Sequence, residues 1–391
     1  MKTYRELLAI PGVIRLLIVA TFPRLAYSMV GLAIFFHVEA ETGSVAVAGL
    51  AVGASSLTGA LTAGPRGKIV DRYGQTLPLY VLVPMYTASN ILLGFFAHSP
   101  TTAVVLSLLN GACAPPINIS IRPLWKDIVG DERVRSAYGL DSAHMNLVQL
   151  LGPVIATFIS VSISSSLALY VVAASMAIGG TLLAFEPASR NWVPEPKPEG
   201  EISMLRSPAM RLMALEGMAM GVASGFIYIS IPALATLNGD RGAAGPIIAT
   251  MGIGSIIGTV WAGAKAKDIP PLKGLRISVL LYAIALIPLP WVPLGPWMAL
   301  VLFIASMVVG PAHVFYLETV DLVRPRGTAV AALATLWMIE GTAAAFAQAL
   351  AGNLAEAVSP QFTMLIGSIV VFASPLIFSI GIRTVLRSAA A

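Results

Sequence analysis

From Ser165 to Phe185 not one side chain carries a charge, and almost all are apolar or small. A run of that length matches the ~20 residues a helix needs to cross the ~30 Å hydrocarbon core of a bilayer. The pattern recurs along the whole chain. Apolar runs and their Gly, Pro and charged breakers predict twelve spans, at 12–37, 44–65, 77–97, 101–122, 137–163, 165–185, 208–236, 243–264, 272–293, 296–318, 328–356 and 360–383. In hydrocarbon a segment must satisfy its own backbone N–H and C=O groups, so the spans are expected as helices.

Only 11% of the residues are charged and 57% are apolar, whereas a soluble domain carries about 25% charge. That excludes a disordered chain, a coiled coil and an ordinary cytosolic enzyme, and leaves no room for a large soluble domain. The single cysteine, Cys113, excludes a disulfide framework and a thiolate metal site. There is no Gly-rich phosphate loop ending in Lys-Ser/Thr, so ATP-driven work is not expected. His37, His98, His144 and His313 fall on different spans or loops. No metal, cofactor or catalytic residue is therefore expected, and the chain is read as a non-enzyme.

The net charge of +5 suggests nucleic acid until the charges are placed. With the N-terminus inside, the 24 basic residues gather on one side. Twenty-two stand at or near the inner ends of the spans, Arg241 alone is left outside, and Arg24 sits deep inside the first span. This is the positive-inside pattern. It accounts for the charge without nucleic acid and puts both termini at the cytoplasmic face of a cell membrane. Trp291, Trp297 and Trp125 stand at predicted span ends, where interfacial anchoring is expected.

The longest polar stretch runs from Glu186 to Arg206 and holds Pro187, Pro194, Pro196 and Pro198. It reads as a cytoplasmic linker, extended around its prolines. The chain then divides into 1–185, a linker at 186–207, and 208–391, with six spans on each side. The halves echo each other in register: Gly59 with Gly258, Ala63 with Ala262, Gly64 with Gly263, Arg66 with Lys265 and Lys68 with Lys267. Such a match suggests an internal duplication. The fold class is an all-α membrane protein of twelve transmembrane helices in two pseudo-symmetric six-helix bundles.

Between the second and third spans stands Gly67-Lys68-Ile69-Val70-Asp71-Arg72-Tyr73-Gly74. Here the chain resembles the major facilitator superfamily, whose signature at this place is Gly-x-x-x-Asp-Arg/Lys-x-Gly. Gly67, Asp71, Arg72 and Gly74 match; Thr76 and Leu77 stand where further basic residues are common. The two glycines permit a tight turn. The resemblance implies a conformational latch, with Asp71 against the positive end of the eleventh helix near Thr328 and Arg72 beside Asp127 or Asp131. It also implies a central cavity opened alternately to each side as two halves rock. A likeness to the exporters of the family rests on Gly152-Pro153. Ala156 and Thr157 depart from the exporters' glycine pattern, and Ser107 stands where they often carry arginine.

An ionisable side chain inside a span costs about 2.5–3.5 kcal/mol, so it is a functional candidate. Arg24 lies about 18 Å into the first span and Glu340 about 18 Å into the eleventh. The two are expected to meet as a buried pair. Arg24 shares a helix face with Tyr27, Ser28 and Gly31. Glu216 lies about 10 Å into the seventh span. Asp141 and His144 share a face of the fifth, Asn110, Asn118 and Arg122 follow the fourth, and His313 sits in the tenth with Tyr316. The substrate and proton pathway is therefore assigned to Arg24, Tyr27, Asn110, Asn118, Asp141, Glu216, His313 and Glu340. Gly49/Gly53, Gly221/Gly225 and Gly254/Gly258 are read as close-packing faces.

The function expected is secondary efflux of a small amphipathic molecule coupled to protons, by a monomer whose partners are substrate, protons and lipid. The alternatives are import of an organic anion clamped by Arg24, and a receptor that binds without flux.

Overall fold

The computed structural model describes residues 6–130, 133–192, 204–265, 269–324 and 329–390. It is helical, and eleven of its helices are long and apolar enough to cross a membrane. In the first half these are α1 (Val13–Thr42), α2 (Val45–Tyr73), α3 (Thr76–Phe96), α6 (Val134–Ser162) and α7 (Ser165–Phe185), with α4 (Pro100–Ala112) and α5 (Ile117–Val129) between α3 and α6. The short α8 (Pro187–Asn191) follows. The second half holds α9 (Pro208–Leu237), α10 (Ala244–Lys265), α11 (Pro271–Leu286), α12 (Pro296–Val323), α13 (Ala329–Ala357) and α14 (Pro360–Ala390).

The twelfth span is the one predicted at 101–122, which is two helices end to end. Pro115 and Pro116 offer no N–H, and their rings clash with the preceding turn, so α4 stops at Ala112 and α5 starts at Ile117. At the other end of α4, Ser99 accepts from Thr102 N while the Thr102 hydroxyl accepts from Ser99 N, each at 3.2 Å, with Pro100 at the first helical position. Prolines likewise open α9, α11, α12 and α14.

The described residues of Met1–Gly43 and Leu61–Pro196 pack as one unit, and those of Ser44–Ala60 and Lys197–Ala391 as another. The second span is therefore shared. Its first turns belong with α13, where a Cβ on Gly53 would stand 2.7 Å from the Ala345 carbonyl. The Glu356 carboxylate takes the Ser44 hydroxyl at 2.7 Å and the Ala46 N–H at 2.6 Å, capping the start of α2. In the second unit Gly225 brings α9 onto α13, with a Cβ there only 2.8 Å from that of Ala347. Gly254 and Gly258 do the same for α10 on α12. These small-residue faces are packing surfaces.

Several expectations need correction. Gly67, Asp71 and Arg72 are in helix, because nothing after Pro65 breaks α2 before Tyr73. Gly74 alone makes the turn, with φ +79, and its N–H closes on the Val70 carbonyl at 2.9 Å. Trp125 is not an interfacial anchor; it is fully buried, whereas Trp291 and Trp297 are 70% and 65% exposed. The linker does not begin extended. Glu186 binds the Arg15 guanidinium through two bonds of 2.8 and 2.6 Å, and Ser189 in α8 donates to Gln75 at 3.1 Å. Residues 193–203 of the linker lie outside the described residues.

Candidate functional site

Among the described residues, the candidate side chains fall mainly in three polar clusters between helices, two in the first unit and one in the second. The first centres on Arg24, whose side chain is 3% exposed. It follows Pro23 in α1, against which Gly179 of α7 packs closely. Asp141 and His144 reach it from α6, where three-residue spacing puts both on one face. Asn118 reaches it from the second residue of α5. Arg24 Nη2 lies 2.8 Å from Asp141 Oδ1. That contact is one of charge, since the oxygen has no donor in line. Arg24 Nε donates to Asn118 Oδ1 at 3.3 Å, and Nη1 lies 2.9 Å from His144 Nδ1. On the far side of the ring, His144 Nε2 is 2.8 Å from Thr21 Oγ1, which donates to the Leu17 carbonyl at 2.8 Å.

Arg24 was expected to meet Glu340. The carboxylate that holds it is Asp141, in its own unit. Matching depth on two helices does not set rotation about either axis, and rotation decides which side chains meet.

The second cluster fills the break in the fourth span. Interrupting a helix frees carbonyls that water cannot reach in hydrocarbon. Arg66 Nη1 donates to the Ala114 carbonyl and the Tyr27 hydroxyl to the Pro115 carbonyl. Tyr27 meets Tyr86 edge to face at 5.7 Å. Nearby, Asn110 Nδ2 donates to Ser89 Oγ at 3.1 Å. The break thus separates Asn110 from Asn118, and the Arg122 side chain lies outside the described residues. Arg66 was counted among the loop charges because Pro65 reads as a helix end. The helix passes through Pro65 and carries Arg66 inward. Replacing Arg66 with alanine leaves the Ala114 carbonyl without a side-chain donor, at a cost of about 1–3 kcal/mol. Arg66→Ala is expected to melt earlier than wild type in detergent, and Arg66→Lys to recover part of the loss.

The third cluster is acidic. Glu216 in α9 is 1% exposed and accepts from the Ser374 hydroxyl of α14. Glycines on the next turns of α9 let α13 close in, so that Gly221 faces the backbone of Glu340. A Cβ on Gly217, next to Glu216, would stand 3.8 Å from that of Glu340, so the two acids share one neighbourhood. Tyr316 lies alongside and donates to the Met213 carbonyl at 3.2 Å. Among the described residues no basic side chain is paired with either acid. His313 is exposed on α12 and lies outside these clusters.

At the motif between α2 and α3, the Arg72 guanidinium stacks over the Tyr73 ring at 5.2 Å. The Asp71 side chain, Asp131 and residues 325–328, where Asp71 was expected to dock, lie outside the described residues.

The sequence profile described as Major Facilitator Superfamily matches residues 16–341. A relative from Sinorhizobium fredii, described as an uncharacterized MFS-type transporter y4rN, is 25% identical over 275 residues, covering 67% of this chain and 68% of its own. Among solved structures, the nucleoside transporter NupG is similar with a TM-score of 0.68 at 14% identity, over 94% of this chain and 98% of its own. A bacterial homolog of the human lysosomal transporter Spinster gives 0.69 at 14%, over 99% of both chains. A POT family transporter in complex with 5-aminolevulinic acid gives 0.72 at 13%, over 96% of this chain and 97% of its own. At such identities the structural likeness carries the fold.

Proposed function

The chain belongs to the Major Facilitator Superfamily, and from that premise we propose that it exports a small amphipathic molecule by alternating access, in exchange for protons. That it is a multi-pass membrane transport protein and not an enzyme follows from the family. The direction, the substrate class and the coupling ion are this proposal's own. The observation that carries it is the acidic cluster of α9 and α13. A buried carboxylate with no cation beside it costs several kcal/mol, and a second carboxylate nearby adds to that cost. A proton relieves it, and so does a cationic group on a substrate. Glu216 and Glu340 therefore serve as proton acceptors for which an amphipathic cation competes. The pairing of Arg24 with Asp141 counts against a free guanidinium waiting to clamp an organic anion.

The test is flux in proteoliposomes against a panel of amphipathic cations, neutral amphiphiles and organic anions, with and without an imposed pH gradient. Uphill movement of a cation driven by the gradient and lost on adding a protonophore is the expected result. Flux of the same size without a gradient would overturn the coupling.

The orientation proposed, with both termini and the linker cytoplasmic, is checked by labelling. In a Cys113→Ser background, Asp240→Cys should react with an impermeant thiol reagent added outside intact cells, and Arg206→Cys only after lysis. The latch assigned to Gly67, Asp71, Arg72 and Gly74 predicts that Asp71→Asn slows turnover several-fold while substrate affinity changes little, since a helix-end charge of about 0.3–1 kcal/mol biases one end state. Unchanged turnover at normal expression would reduce the motif to a topology signal.

A further inference from the structure

The Arg24 cluster fixes where the proton of His144 sits. A guanidinium has only donors, so a ring nitrogen 2.9 Å from Arg24 Nη1 must accept. Nδ1 is therefore bare. The neutral ring carries its proton on Nε2, which donates to Thr21 Oγ1, and the Thr21 hydroxyl in turn donates to the Leu17 carbonyl. Every hydrogen in the chain is spoken for, and only one arrangement satisfies it.

We infer that His144 is a proton switch acting on the Arg24–Asp141 pair, a role that rests on the proton-coupled reading above but places a proton in the first unit. A proton taken up from water binds the Nδ1 lone pair and turns that acceptor into a donor. Nδ1–H and Nη1–H then face each other, and the ring adds a positive charge beside the guanidinium. The bond between Arg24 and His144 cannot persist. Nη1 is released toward another acceptor, such as a carbonyl oxygen of a bound molecule, while Asp141 retains Nη2. Loss of the proton re-forms the bond and withdraws Nη1.

Among the described residues, the charged groups facing the ring are Arg24 from α1 and Asp141 from its own helix. On α5 the polar group of this cluster is Asn118, and the Arg122 side chain lies outside the described residues. The segment Ser165–Phe185 of α7 has no charged residue, and its Tyr170 packs on Phe95 at 5.3 Å. Two opposite charges and the hydroxyl of Thr21 thus set the behaviour of His144.

The experiment needs no substrate. Full-length protein with 15N-labelled histidine and arginine, in lipid nanodiscs, is titrated by NMR from about pH 8.5 to about pH 5, the range in which imidazole ordinarily changes charge. The His144 ring is assigned by its loss in His144→Gln or, in the unsubstituted chain, by contact of Nε2 with Thr21. The expected result is a bare Nδ1 at high pH, protonation of both nitrogens on acidification, and movement of the Arg24 Nη signals with the same midpoint. In Asp141→Asn that midpoint should shift, while that of His313, in the other unit, stays in place. A proton on Nδ1 at high pH, a ring unchanged throughout in folded protein, or an Arg24 that ignores the titration would each overturn the inference. Flux driven by protons with an unresponsive His144 would leave the Glu216–Glu340 reading standing and this one refuted. Coupled titration without proton-driven flux would do the reverse.

Discussion

Arg24→Ala is expected to lose about 3–5 kcal/mol of stability, because it strands the partly buried charge of Asp141. The side chains are 3% and 13% exposed, so water replaces the missing partner only in small part. Asp141→Ala strands the guanidinium instead, and Asn118 and His144 compensate only its hydrogen bonds, not its charge. The single variants should therefore express poorly and melt well below wild type in detergent. The double variant Arg24→Leu/Asp141→Leu removes both charges together and should recover much of the loss, since replacing a whole buried pair with apolar side chains is often neutral or better. Double-variant melting no higher than either single variant would show that the pair is not the source of the loss.

Glu216→Gln is expected to leave the fold intact and abolish response to a pH gradient. The amide fills the same volume, and its carbonyl still accepts from Ser374, so packing between α9 and α14 survives. What disappears is the more deeply buried of the two carboxylates at that place that can take a proton. The insertion cost of a charge inside a span, about 2.5–3.5 kcal/mol, corresponds to about two orders of magnitude in an equilibrium, and gradient-driven flux should fall on that scale. Exchange without a gradient should continue. Glu340→Gln should give a weaker version of the same result, because Glu340 is only partly buried. Full gradient-driven transport by Glu216→Gln would move the proton site elsewhere, with Glu340 and the His144 cluster next to be tested.

The candidate clusters were legible to different degrees. Asp141 and His144 could be put on one face from spacing alone, and the depth of Arg24 and Glu340 from counting residues at ~1.5 Å of rise. Their partners could not. Asp141 reaches Arg24 because α6 is rotated to present that face to α1, which depends on packing such as Gly152 against Ser28. Arg66 was missed for a different reason. Proline ordinarily ends a helix, but inside a membrane protein neighbouring groups satisfy what it frees, and α2 continues through Pro65.

Hydropathy determined the fold class, the number of spans and their approximate ends, because a bilayer imposes one length and one kind of hydrogen bonding on every crossing segment. The Pro115-Pro116 pair is the local cause of the break in the fourth span. Tertiary structure alone decided that the freed carbonyls are met by Arg66 and Tyr27, that Arg24 belongs with Asp141, and that Glu216 lies near Glu340 with no base paired to either among the described residues. The physical reason is that span length and helix periodicity are local properties of the chain. The meeting of two side chains depends on the rotation and approach of separate helices, which their packed interfaces set.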